Sequence, residues 1–166
     1  MLGRLLDYSE ADWQIKERLD LPPQLRELDA ATEEVELSVR QTVETSLRGD
    51  ASQVPQHVLQ KVDERIMRAA KKSAALDTDR YQTLAGKLEY FDLRELQETI
   101  ISKTLWPQFE RRFANKEALV TKFDQLAELR NGIRHSRAVS EIVRKEGEAA
   151  ILWFTHVLTN APMRKE

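Results

Sequence analysis

The side chains best suited to phosphate chemistry gather in one short segment, which reads LAELRNGIRHSR over residues 126–137. Arg130, Asn131, Arg134, His135 and Arg137 fall within eight residues. A histidine, whose ordinary pKa is about 6.5, can take up or release a proton near neutral pH. An arginine can bind a phosphate through two parallel hydrogen bonds and stabilise negative charge in a transition state. The segment therefore has the residue types that acid–base cleavage of a phosphodiester requires.

The leucines of this segment predict a helix, and the helix determines which polar side chains share a face. Asn131 and His135 at i,i+4 lie on one face, and Arg130 and Arg134 lie on the next. Arg130 and His135 stand about 140° apart on an ideal helix, so they converge only where the helix distorts or ends. Gly132 costs about 1 kcal/mol relative to Ala inside a helix, and Asn-Gly is a common turn pair. We therefore predict a kink or a helix junction between Asn131 and Arg134.

Each of these residues can also be explained without a catalytic or binding role. His135 would then be a helix-end histidine, Arg130 a solvated helix-face arginine, and Asn131 a cap for the following turn. Arg134 and Arg137 would either hold a phosphate backbone or form a solvated basic face. No carboxylate lies three or four residues from Arg130, and its neighbour Arg134 carries the same charge. An anion bound between the two arginines would relieve their repulsion.

The string R-N-x-x-x-H from Arg130 to His135 follows an amphipathic helix and leads into His-Ser. It resembles the R-x(4–6)-H signature of the HEPN family of all-α domains, and a weaker resemblance extends over residues 90–159. The resemblance implies a metal-independent endoribonuclease. His135 would activate the ribose 2′-hydroxyl, Arg130 would stabilise the developing charge, and Asn131 would complete the motif. Arg134 and Arg137 would hold the RNA, with two motifs facing each other across a homodimer.

Two functions from different classes stay open. The first is the endoribonuclease, in a defence or toxin setting with an antitoxin or a larger defence protein as partner. The second is a non-catalytic HEPN-like dimerisation or RNA-binding module of a larger assembly. The intact motif favours the nuclease, whereas the net charge of −2 and the lack of obvious stacking aromatics favour the module.

Composition excludes several other kinds of site. The 166 residues include no cysteine, which removes thiol catalysis, disulfides and thiolate metal sites. The histidines lack metal-ligand spacing and no Gly-rich phosphate loop occurs, so we expect no metal and no cofactor. We expect His57 and His156 to be structural.

No apolar run reaches the roughly 18 residues that span a bilayer, and no signal-peptide pattern is present. We therefore expect no membrane association and a cytoplasmic location.

Apolar residues recur at intervals of three and four along the chain, which predicts an all-α bundle with an up-and-down core. We expect a HEPN-like bundle over residues 55–166 that carries the motif. N-terminal helices over residues 1–50 would be an extension or the first bundle helix. They comprise a short helix capped near Ser9 and a long one over residues 24–48 that Gly49 ends.

Further helices are predicted over residues 55–76, over residues 81–87, and after caps at Asp92, Asn115 and Ser140. The segment 103–114 contains Pro107 and is predicted to be a broken connector, with aromatic side chains that pack in the core. The inward face predicted for the last helix comprises Ile142, Ala149, Trp153, Phe154 and Val157.

Overall fold

Helices make up the secondary structure in the computed structural model, which describes residues 21–135 and 138–160. Within these residues there are seven α-helices and no β-strand, which confirms the all-α prediction. The predicted helix near Ser9 lies outside the described residues. In order, the helices are α1 (Pro23–Ser46), α2 (Gln56–Lys72), α3 (Leu84–Leu88), α4 (Leu93–Ile101), α5 (Trp106–Phe113), α6 (Lys116–Arg134) and α7 (Glu141–Thr159).

The starts of α4, α6 and α7 follow from side-chain caps, as the sequence predicts. Asp92, Asn115 and Ser140 each accept a hydrogen bond from the backbone N–H three residues later. At α4 the Glu95 side chain accepts a hydrogen bond from the Asp92 N–H in return, which completes a capping box. These bonds satisfy N–H groups that have no partner inside the helix. Two short 3₁₀ helices, Ala51–Gln53 and Thr78–Gln82, precede α2 and α3.

The long helix α1 is part of the same core as the helix that carries the motif. Its Val35, Val39 and Val43 are buried and belong to one hydrophobic cluster with Leu126 of α6 and Phe154 of α7. Helix α1 packs on both α6 and α7, and those two helices pack on each other. The motif helix is therefore held between α1 and α7.

A glycine allows the close approach of α6 and α7. A Cβ built on Gly147 would lie 2.5 Å from Leu129 Cδ2 and 2.7 Å from Leu129 Cβ. Real Cβ atoms do not approach this closely, so any larger residue would push the helices apart. Leu129 directly precedes Arg130, so this contact fixes the position of the motif.

The prediction of a broken connector over residues 103–114 was wrong, because the segment contains the helix α5. Pro107 lies in the first turn of α5, where its missing N–H would have had no partner inside the helix. Phe109 and Phe113 are buried, as predicted. The helix ends at Ala114, whose φ of 60° and ψ of −44° form a tight turn.

The inward face predicted for the last helix was partly wrong. Ile142 is 69% exposed and Ala149 is also exposed, whereas Phe154 is buried as predicted. The side of α7 that faces the core is marked by Gly147, Ala150 and Phe154. Gly147 has no apolar side chain that would mark this face in the sequence. The predicted inward face is therefore rotated about the helix axis away from the observed one.

Candidate functional site

The motif lies at the C-terminal end of α6. This helix continues through Gly132 and ends at Arg134, and His135 forms its C-cap with φ −93° and ψ 15°. The junction therefore falls at the end of the predicted interval, and Gly132 itself does not break the helix. A Cβ on Gly132 would lie 3.1 Å from Val139 Cγ2. The glycine thus leaves room for the connection that leads into α7.

Arg130 is turned into the protein and paired with a carboxylate of α1. Its side chain is 18% exposed, and its Nη1 lies 3.0 Å from Oε1 of Glu36, whose side chain is 5% exposed. The angles of this contact fall outside hydrogen-bond geometry. Arg130 Nε and Glu36 Oε1 are both buried without a hydrogen-bond partner among the described residues. The pair is therefore held by charge rather than by a directed hydrogen bond.

The electrostatic surroundings of Arg130 are those of a desolvated cation in a mixed cluster. Burial lowers the pKa of Arg130, the charges of Arg134 and Arg40 lower that pKa further, and Glu36 and Asp92 act in the opposite direction. The guanidinium stays charged, because the ordinary pKa of arginine lies far above neutral pH. Arg40 itself donates a hydrogen bond of 2.8 Å to the carbonyl oxygen of Phe91.

Arg134 also faces α1. Its Nε lies 4.0 Å from Asp29 Oδ1, and its Nη2 lies 3.7 Å from Glu33 Oε1. Three carboxylates of α1, those of Asp29, Glu33 and Glu36, therefore stand opposite Arg130 and Arg134. We call these five residues the α1–α6 charge cluster. The repulsion expected between the two arginines is balanced within the chain.

The acidic half of this cluster is not among the residues predicted from the sequence. Asp29 and Glu36 are seven residues apart and are both buried in the middle of α1. They therefore share one side of the helix with core positions such as Val39. Carboxylates at repeated core positions need a buried partner, and this signal could have pointed to cations elsewhere in the chain.

Asn131 and His135 lie on the exposed side of the same helix end. Asn131 borders an open pocket of about 450 Å³ between α6 and the start of α7, beside Glu128 and Ser140. The imidazole of His135 makes no hydrogen bond to another described residue. Arg137 lies outside the described residues. The structure thus places Asn131 and His135 at an accessible edge and turns Arg130 towards α1.

The basic residues on the far side of the connection are paired as well. Arg144 Nη1 lies 3.1 Å from Glu148 Oε1, and Lys145 Nζ lies 2.8 Å from Glu141 Oε1. Each described cation from residue 130 to residue 145 therefore has a carboxylate within 4.0 Å. As far as the structure describes it, the motif end carries balanced charge rather than an open basic patch.

The other two histidines each contact one polar side chain. His57 Nε2 lies 3.1 Å from Glu98 Oε2, and His156 Nε2 lies 3.0 Å from Asn160 Nδ2. Among residues 21–135 and 138–160, no group of three or more His, Asp or Glu side chains is arranged to hold a metal ion. None of the described helices is long and apolar enough to cross a membrane.

Comparison of the chain with family models, with curated proteins and with solved structures finds no match. A functional proposal for this chain therefore depends on its own residues and their geometry.

Proposed function

We propose that this protein is a metal-independent endoribonuclease of the HEPN type, with His135 as the base and Arg130 as the stabilising cation. The observation that supports this proposal is the arrangement of Arg130 and His135 at the C-terminal end of α6. Arg130 is anchored in a largely buried ion pair with Glu36, while His135 is exposed on the same helix end. A fixed, desolvated cation and an accessible imidazole at one helix end suit acid–base phosphodiester cleavage.

In this reaction His135 removes the proton of the ribose 2′-hydroxyl, and the 2′-oxygen attacks the adjacent phosphorus. The bond from phosphorus to the 5′-oxygen breaks, and the departing oxygen takes a proton from water or from a second imidazole. The products are a 2′,3′-cyclic phosphate and a 5′-hydroxyl. DNA lacks the nucleophile and is not cut.

Arg130 would stabilise the charge on the pentacovalent phosphorus. Its Nη1 contacts Glu36, and its side chain makes no hydrogen bond to another described residue, so N–H donors remain for phosphate oxygens. The ion pair limits the rotamers of Arg130 and so reduces the entropy that substrate binding would otherwise cost. A low-dielectric setting also strengthens its interaction with the transition state.

We propose that the active form is a homodimer in which two motif ends form one cleft. On one chain Arg130 faces α1 while His135 faces solvent. A second copy could place its own imidazole or cation on the other side of the same phosphate. A defence or toxin setting, with an antitoxin or a larger defence protein as partner, belongs to this proposal.

The alternative is a non-catalytic HEPN-like dimerisation or RNA-binding module of a larger assembly. The pairing of Arg130 and Arg134 with the carboxylates of α1 favours this alternative. An RNA phosphate would have to compete with those carboxylates for the same guanidinium groups.

The test is RNA cleavage in EDTA by wild type, His135→Ala and Arg130→Lys, with His156→Ala as the matched control. Lysine at position 130 keeps a charge opposite Glu36, so the fold is preserved while bidentate phosphate binding is lost. We expect cyclic-phosphate ends from the wild type and a loss of roughly 10²- to 10⁴-fold in His135→Ala. His156→Ala should remain fully active, because His156 is exposed and its ring contacts Asn160 at the end of α7.

An inactive wild type that still dimerises or binds RNA would favour the module. Cleavage that survives in His135→Ala would show that the motif is not the site. Cleavage of the matching DNA strand would exclude attack by the 2′-hydroxyl.

A further inference from the structure

Helix α2 carries a row of basic side chains that the proposed site does not use. His57, Lys61, Arg65, Arg68 and Lys72 follow one another at intervals of four, four, three and four residues. At about 100° per residue, all five lie within a sector of about 80°. The row is about 22 Å long, because an α-helix rises about 1.5 Å per residue. We call these five residues the α2 stripe.

Part of the α2 stripe is neutralised by the neighbouring helix α4. Glu98 Oε2 lies 3.1 Å from His57 Nε2 and 4.0 Å from Lys61 Nζ. Glu95 Oε1 lies 2.7 Å from Arg65 Nη2. The charges of this half are therefore held in place as ion pairs.

The other half of the stripe is unpaired. Arg68 and Lys72 are exposed, and neither has a carboxylate within 4.0 Å among the described residues. This contrasts with the motif end of α6, where each described cation has such a carboxylate. Arg68 and Lys72 thus carry unpaired positive charge, unlike the described cations of the motif end.

The α2 stripe approaches the motif through Asp92. Arg65 Nη2 lies 3.8 Å from Asp92 Oδ2, and the preceding residue, Phe91, accepts a hydrogen bond from Arg40 of α1 at its carbonyl oxygen. Glu36, one turn before Arg40 on α1, is the partner of Arg130, so residues 91–92 and α1 connect the centre of the stripe with the arginine of the motif. A polyanion bound along the stripe would cross this connection on its way to the motif end of α6.

We propose that the α2 stripe binds the phosphate backbone of the RNA and directs it to the motif. This inference rests on the proposed function and names the surface that holds its substrate. Evenly spaced cations on a helix match a repeating phosphate chain and need no base contacts.

The composition of α2 argues against a membrane as the ligand. An amphipathic helix that binds a lipid surface places large apolar side chains beside its cations. Met67 is the only large apolar residue of α2 that is strongly exposed, at 61%. It lies about 120° from the centre of the stripe.

The test compares Arg68→Gln/Lys72→Gln with Lys103→Gln/Arg111→Gln, both in the His135→Ala chain so that RNA is not consumed. Each double variant removes one arginine and one lysine, all four of which are exposed. The probe is a fluorescent single-stranded RNA, titrated at several KCl concentrations. We expect the stripe variant to bind roughly tenfold more weakly, with a salt slope that is smaller by about 1.4, and the control to bind like its parent.

Equal losses in both double variants, or an unchanged salt slope in the stripe variant, would overturn the inference. Binding of anionic lipid vesicles that is lost in the stripe variant while RNA binding persists would also overturn it.

The stripe and the nuclease can fail separately. If the wild type cuts no RNA but the stripe variant binds RNA more weakly as expected, the nuclease proposal fails and the stripe proposal is supported. Cleavage that depends on His135, with normal binding by the stripe variant, would support the nuclease and remove the stripe.

Discussion

The guanidinium of Arg130 has two roles under the proposed function. It must balance the charge of Glu36, which is 95% buried, and under the proposed function it must also donate to a phosphate. An alanine at this position would remove both interactions at once. Loss of activity in Arg130→Ala would therefore not separate catalysis from stability.

We expect Arg130→Ala to lower the free energy of unfolding by about 2–4 kcal/mol, because it leaves Glu36 buried without a counter-charge. The double variant Glu36→Gln/Arg130→Gln removes both charges and should lose less than the single variant. Urea unfolding of Glu36→Gln, Arg130→Gln and the double variant measures the coupling. Additive losses would show that the two side chains do not interact.

Glu95 provides a separate residue-scale prediction about pH. Burial raises the pKa of Glu95, but hydrogen bonds from Arg65 and from the Asp92 N–H outweigh this effect and leave the pKa below its ordinary value of 4.5. The folded state therefore holds this proton less tightly than the unfolded state. The resulting stability is present above about pH 4.5 and is lost as the pH falls through the lower, folded-state pKa.

Glu95→Gln should lower the free energy of unfolding at neutral pH by about 2 kcal/mol, a value that allows for the exposure of Arg65. The difference from wild type should shrink as the pH falls below about 4.5, where the unfolded chain takes up this proton, and should disappear as the pH passes through the lower folded-state pKa. The matched control is Glu98→Gln on the same helix, whose partners are exposed and whose loss should cost under about 1 kcal/mol. A difference that grows on acidification would contradict the assigned pKa direction.

At the scale of helices, Gly132 and Gly147 should respond differently to the same substitution. Both lie inside helices, where Ala is favoured over Gly by about 1 kcal/mol. The new methyl group at 132 would meet only the Val139 side chain at 3.1 Å, whereas at 147 it would meet Leu129 Cβ at 2.7 Å. A Cβ atom cannot move without its backbone.

We therefore expect Gly147→Ala to lower the free energy of unfolding by about 1–2 kcal/mol, because overpacking outweighs helix propensity. Gly132→Ala should change it by less than about 1 kcal/mol. Thermal unfolding of the two variants side by side measures this contrast. Equal stabilities would show that α6 and α7 can separate without cost.

The sequence predicted the elements whose causes are local. The caps at Asp92, Asn115 and Ser140 depend on a few adjacent residues, and all three occur. The helix α5 is not predicted, because a proline inside a helix usually interrupts it. Pro107 instead stands in the first turn, where proline is tolerated. The motif was found by its spacing, but the pairing of Arg130 with Glu36 is a tertiary contact that local pattern does not encode.

At the scale of the whole molecule, the surface near the motif suits contact with a second copy. Ile142 is 69% exposed and Leu152 is 70% exposed, and the two lie about 80° apart on α7. Ile142 follows the motif by seven residues. A net charge of −2 gives little repulsion between copies. These features favour self-association through this exposed face of α7.

We expect Ile142→Glu to weaken the homodimer and to reduce RNA cleavage in parallel, because a charge on this face would have to be desolvated on association. Sedimentation velocity at several concentrations measures the first effect, and the EDTA cleavage assay measures the second. Leu37→Glu is the matched control, since Leu37 is 62% exposed but lies on α1. A monomeric Ile142→Glu chain with full activity would exclude a cleft shared by two copies, because each chain would then hold a complete site. An unchanged dimer would place the interface on another face of the bundle.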